Sequence, residues 1–145
     1  MASAEALFAD LGPYAWILGQ WLARPGVEGW LDEHAGERRG FALLAFYREA
    51  ATPGGPRAPV ADLLALGVVA RFRGQGLGRA LLEHAVAAAG RAAPSQGIDA
   101  LRLTVAADNL GAQQLYAEAG FVLVDAPAAA YPSGTPARLM VRPLP

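Results

Sequence analysis

The run Arg73-Gly74-Gln75-Gly76-Leu77-Gly78 gathers the residue types that receive a phosphate. Glycine lets the backbone come close to a ligand, and the first N–H groups of a helix point outward at the positive end of its dipole. Val60 to Val69 reads as a buried strand and Arg79 onward as a helix, so the run lies at a strand-to-helix junction suited to a pyrophosphate. A plain tight turn uses the same glycines and remains open as the simpler reading. A nucleotide-triphosphate loop needs Gly-Lys-Ser or Gly-Lys-Thr, and the chain has no Lys. A dinucleotide fingerprint, G-x-G-x-x-G, needs a third glycine where Arg79 stands.

Other chemistry is bounded by what the sequence lacks. With no Cys there are no disulfides, thiolate nucleophiles or Cys-built metal sites, and with no Lys there is no Schiff base. The two His, His34 and His84, do not make a metal site. The net charge of -1, with no clustering of Arg on one face, argues against nucleic acid as a partner. No apolar run reaches the roughly 20 residues that span a bilayer, and the start of the chain lacks a basic leader region, so a cytoplasmic location is expected.

At 145 residues and 54% hydrophobic, the chain is expected to form a single domain over 1–145 with its own core. Apolar spacing predicts two short helices between Ala4 and Leu22, broken by Gly12-Pro13 and stopped at Arg24-Pro25-Gly26. Val27 to His34 and Arg39 to Arg48 read as a hairpin turned by Ala35-Gly36-Glu37, and a third strand follows the loop Ala51 to Pro59. The Ala- and Leu-rich segment Arg79 to Arg91 predicts a helix ending before Pro94. A strand over Leu101 to Val105 comes next, then a helix from Leu110 to Ala119 capped by Asp108 and stopped at Gly120. Phe121 to Val124 and Ala137 to Arg142 close a mixed α/β (α+β) sheet with helices packed on it.

Two ordered blocks in this layout resemble the GNAT superfamily of N-acetyltransferases. Its coenzyme A pyrophosphate pattern is Arg or Gln, two residues, Gly, one residue, Gly or Ala, and Arg73, Gly76 and Gly78 match it. Leu66, Val68 and Phe72 resemble the strand before that turn. Leu103-Thr104-Val105, Asn109, Ala112, Leu115-Tyr116 and Gly120-Phe121 resemble the following strand and helix. The likeness is strongest from Asp62 to Phe121, with weaker similarity to the ribosomal-protein alanine acetyltransferases, whose catalytic Glu would fall at Thr104.

The resemblance implies a mostly antiparallel mixed sheet whose central strands splay to admit pantetheine, with acetyl-CoA as cosubstrate and no metal. Leu66 and Val68 would offer main-chain groups to pantetheine. The turn Arg73, Gly74, Gln75, Gly76, Leu77, Gly78 and Arg79 would hold the phosphates, and Asn109 would touch the cofactor, although Asp108-Asn109 equally reads as a helix cap. Tyr116 would protonate the departing thiolate, its other reading being a tyrosine packed on the sheet.

The acceptor amine must lose a proton, and Asp62 is the candidate base. It lies six residues before Val68, on the same face if the strand is regular; its plainer reading is a strand-start residue. Glu28, Glu33 and His34 border the expected acceptor side. Tyr131-Pro132-Ser133-Gly134 would loop over it or simply turn between strands.

The implied function is acetyl transfer to a primary amine by direct attack in a ternary complex, on a small molecule or a peptide N-terminus. A coenzyme A-binding module without turnover is the alternative, since no strong base and no first strand are evident. That implies an acceptor side either trimmed or shared with a second copy, and a homodimer stays open.

Overall fold

A computed structural model of the chain describes residues 23–50, 52–124 and 134–144. The helices expected between Ala4 and Leu22, and Tyr131 to Ser133 of the expected loop, lie outside these residues. Strand β1 (Val27–His34) pairs antiparallel with β2 (Glu37–Ala50). Their two-residue turn has positive φ at both Ala35 (51°) and Gly36 (80°). That mirror-image geometry follows the right-handed twist of the flanking strands. Asp32 and Arg39 brace the hairpin, with Nε to Oδ2 at 2.7 Å.

Strand β3 (Arg57–Val68) pairs antiparallel with the other edge of β2. It starts three residues earlier than expected, because Pro59 stands ahead of the pairing with the next strand, near a strand start where proline is tolerated. Leu44 faces Leu63 but Leu43 faces Ala65, so Leu64 is an extra residue, a β-bulge. The bulge reverses the alternation. Ala61 and Leu63 before it join the core, and Leu66 after it packs against that same core.

Helix α1 (Leu77–Gln96) presents Leu81, Leu82, Ala85, Ala88, Ala89 and Ala93 at helical spacing to one face of the sheet. Contrary to expectation it runs through Pro94. The proline lies in the last turn, where it removes one ladder bond, and Gly97 closes the end at φ 69° with its N–H on the Ala93 carbonyl. Strand β4 (Ala100–Ala106) then runs parallel to β3.

Helix α2 (Leu110–Glu118) is capped by Asn109 and not by Asp108: the Asn109 Oδ1 accepts from the Ala112 N–H at 3.1 Å. Gly120 follows at φ 94° and turns the chain so that the Phe121 N–H reaches the Tyr116 carbonyl. Strands β5 (Val122–Val124) and β6 (Ala137–Pro143) finish a mixed sheet of order β1-β2-β3-β4-β6-β5, flanked, among the described residues, by two α-helices. Among the described residues only β3 and β4 pair in parallel, and the other four pairings are antiparallel.

Leu44, Leu63, Leu82, Leu101, Leu103, Val105, Phe121 and Met140 form the core between sheet and helices. Among the described residues no helix is long and apolar enough to cross a membrane.

Candidate functional site

The parallel pairing of β3 and β4 is short. It joins Ala61, Asp62 and Leu63 to Leu101, Arg102 and Leu103, and the strands part beyond. Strand β3 continues to Val68 paired, among the described residues, with β2 alone. Among the described residues no strand pairs with its edge toward β4 from the bulge to Val68, whose carbonyl accepts from Arg73, and an extended ligand can add there as a strand.

A cleft of about 550 Å³ lies along that edge. Leu66, Gly67 and Val68 form one wall, the turn from Phe72 to Arg79 the far end, and Asn109, Gly111, Ala112, Leu115 and Tyr116 of α2 the other wall. The structure thus brings together Leu66, Val68, Arg73, Gly74, Gly76, Leu77, Gly78, Arg79, Asn109 and Tyr116 from the residues expected at the site. Gln75 stands in the turn without lining the cleft, and Asp62 does not line it either.

Local chemistry explains the turn. After a single 3-10 turn at Ala70–Phe72, Gly74 and Gly76 adopt φ 81° and 80°, angles that side chains disfavour. A Cβ at either would meet nothing within 4 Å, so the backbone surface faces open space. Gly76 is the N-cap of α1 and has no side chain to take the first helical N–H groups, which point to the cleft end. Arginines flank this anion-ready end. Arg73 Nε donates to the Val68 carbonyl at 3.1 Å, and Arg79 pairs with Glu118 of α2.

Tyr116 is buried on the core side, its ring edge-on to Phe121 at 5.9 Å between centroids. It packs in the core and also lines the cleft, so the packed reading describes its surroundings and the proton-donor reading is compatible with its place. Asn109 caps α2 and also lines the cleft.

Asp62 corrects the expectation of a shared face with Val68. The bulge at Leu64 turns Asp62 to the opposite side of the sheet. There it accepts from Tyr47 Oη and from Arg102, whose Nε lies 2.5 Å from Oδ1 and whose Nη2 lies 3.3 Å from Oδ2. Arg102 also reaches Glu49 at 2.6 Å and Tyr47 Oη at 2.6 Å. Burial opposes the Arg102 charge, but hydrogen bonding and attraction to Asp62 outweigh it and raise its pKa. Burial, then Asp62, push the Tyr47 phenol up to about 12.

Glu28, Glu33 and His34 are exposed on β1. His84 is exposed on α1 with its ring edge-on to Trp30 at 4.9 Å. Among the described residues no group of His, Asp or Glu could hold a metal ion. Gly67 and Gly111 line the cleft although the sequence did not single them out. Gly67 carried a signal, since a glycine inside a strand marks a close approach. A Cβ there would collide with the Phe41 ring.

The model of the Acetyltransferase (GNAT) family matches residues 2–121. A mycothiol acetyltransferase of Frankia casuarinae is 32% identical over 134 residues, covering 84% of this chain and 37% of that protein. The chain therefore spans little more than a third of that relative's length.

Arabidopsis thaliana NAA60, solved with a bisubstrate analogue, superposes with a TM-score of 0.72 at 19% identity, over 97% of this chain and 91% of that one. In complex with acetyl-CoA it gives 0.70 at 19% identity, over 96% and 90%. These two likenesses bear on the fold. The ribosomal-protein-S18-alanine N-acetyltransferase from Escherichia coli gives 0.62 at 25% identity, over 83% and 71%. The family match takes in every residue that lines the cleft, and the chain belongs to the GNAT acetyltransferase family.

Proposed function

We propose that the chain, acting as one domain, transfers an acetyl group from acetyl-CoA to a primary amine of a small molecule or peptide N-terminus, by direct attack in a ternary complex. The observation that carries this reading is the continuity of the cleft. One unbroken surface joins the left-handed glycines, the start of α1, the open edge of β3 and Tyr116. Acetyl-CoA is the reading's cosubstrate because a pyrophosphate, an extended amide-bearing arm and a thiol leaving group need those features in that order. It supplies the activated thioester.

The residues divide the work. Gly74, Gly76 and the first N–H groups of α1 receive phosphate, and Arg73 adds charge at that end of the cleft, where Arg79 is paired with Glu118. Backbone groups of Leu66 to Val68 take up the extended arm. Asn109 holds the start of α2 and the cleft wall in place. Tyr116 Oη donates a proton to the departing sulfur.

An amine panel with acetyl-CoA, read by release of free thiol, tests the reading. Tyr116→Phe should cut turnover by about 10²-fold while acetyl-CoA still binds. Thiol release at the unchanged rate would remove the role given to Tyr116. Binding without release, over the whole panel, would favour a non-catalytic coenzyme A module instead.

A further inference from the structure

The geometry points to Asp62 and Arg102 as a positioning pair that sets where the β3–β4 seam ends and the cofactor cleft begins; this rests on the reading that acetyl-CoA occupies the cleft. Asp62 and Arg102 are register partners at the centre of a seam that pairs only three residues on each strand. Parallel pairing is the less stable kind per residue, and so short a ladder has little strength of its own. The side chains reinforce it directly, with two guanidinium-carboxylate contacts across the seam. Neither side chain is freely solvated, at 26% and 17% exposure, so the pair is worth more than a surface ion pair.

Two further contacts widen the clamp. Arg102 reaches Glu49 and the Tyr47 hydroxyl, both on β2, so one guanidinium ties β2, β3 and β4 together. Immediately past this tie comes the Leu64 bulge, after which β3 and β4 have separated. Leu66, the first β3 residue in the cleft wall, follows two positions later. With all its bonds directed at Arg102 and Tyr47, Asp62 acts on the site through the strands. It is a positioning residue and not the proton acceptor.

The test compares acetyl-CoA affinity by calorimetry with melting temperature in the full chain, well below each melting point. The variants are Asp62→Asn, Asp62→Ala, Arg102→Ala and the double Asp62→Ala/Arg102→Ala. Asp32→Asn is the control, because it cuts a comparable pair, Asp32–Arg39, within the β1–β2 hairpin and outside the β3–β4 seam. Each single seam variant should weaken acetyl-CoA binding about tenfold, the scale of one charge-assisted hydrogen bond, and the double variant should add little more. Asp32→Asn should lower the melting temperature and leave affinity unchanged.

Should Asp62→Ala fail to fold, the near-isosteric Asp62→Asn carries the comparison. Seam variants that bind like the parent, or a control that weakens binding equally, would overturn the inference. Failure of the unsubstituted chain to bind acetyl-CoA would instead remove the reading beneath it, and the inference with it.

Discussion

The two edges of β4 meet opposite fates. Toward β6 the strand is laddered along its whole length, from Ala100 opposite Pro143 to Ala106 opposite Ala137. Toward β3 the ladder stops after Leu103. The same strand therefore serves as a core element on one side and as the rim of a cleft on the other. The site arises from withheld backbone pairing, and it survives because β2 holds β3 from behind up to Gly40 opposite Val68. A sheet can leave an edge open inside itself only where a neighbour and a packed helix layer hold both strands.

The largest effect should come from breaking the held side. Leu101 is fully buried, lies in the three-residue seam and also pairs with β6 at Arg142. Leu101→Ala should cost about 2–5 kcal/mol, read from urea unfolding, since it loses transfer energy and leaves a cavity. A loss below about 1 kcal/mol would mean that the seam tolerates collapse, against the tight packing implied by this burial.

A smaller contrast of sign is expected within the turn at the open side. Gly76 sits at φ 80° with open space around it, so Gly76→Ala meets only backbone strain, about 1–2 kcal/mol. Gly78 lies inside the first turn of α1. A methyl there would sit 3.6 Å from Leu115 Cδ2 and 3.7 Å from Val68 Cγ2, ordinary contact distances. Gly78→Ala should therefore stabilise by roughly 0.5–1 kcal/mol through helix propensity. Unfolding midpoints moving in the same direction for both variants would sink this account of the turn.

What the sequence showed depended on whether its signal was local. The glycine turn, the Ala35-Gly36 hairpin and the alternation of Leu101, Leu103 and Val105 are written in neighbouring residues, and the structure has each of them. The Leu64 bulge was hidden because Leu63, Leu64, Ala65 and Leu66 are all apolar, so no polar residue marks the change of face. That one unseen residue misplaced Asp62. Its true partners, Tyr47 and Arg102, stand 15 and 40 positions away and could not be paired without the sheet register. The run of α1 through Pro94 was hidden for another reason: a proline reads as a stop wherever the helix end is unknown.

The smallest expected effect tests the reverse side of the seam by pH. Tyr47 donates to Asp62, and its phenol is raised from 10.0 to about 12, first by burial and then by that carboxylate. Between those values the folded chain keeps a proton that the unfolded chain has released. Stability from this group is therefore fully present below about pH 10 and is lost as pH rises toward about 12. Arg102 stays charged throughout this window, because its own pKa is raised as well. Tyr47 is 39% exposed, so solvent screens the interaction and keeps the effect modest. Tyr47→Phe should flatten the decline in urea midpoint over that range and remove a late-ionising phenol from an absorbance titration. An equally steep decline in the variant would show that the phenol does not share its proton with Asp62, and that the clamp consists of Arg102 and the carboxylates alone.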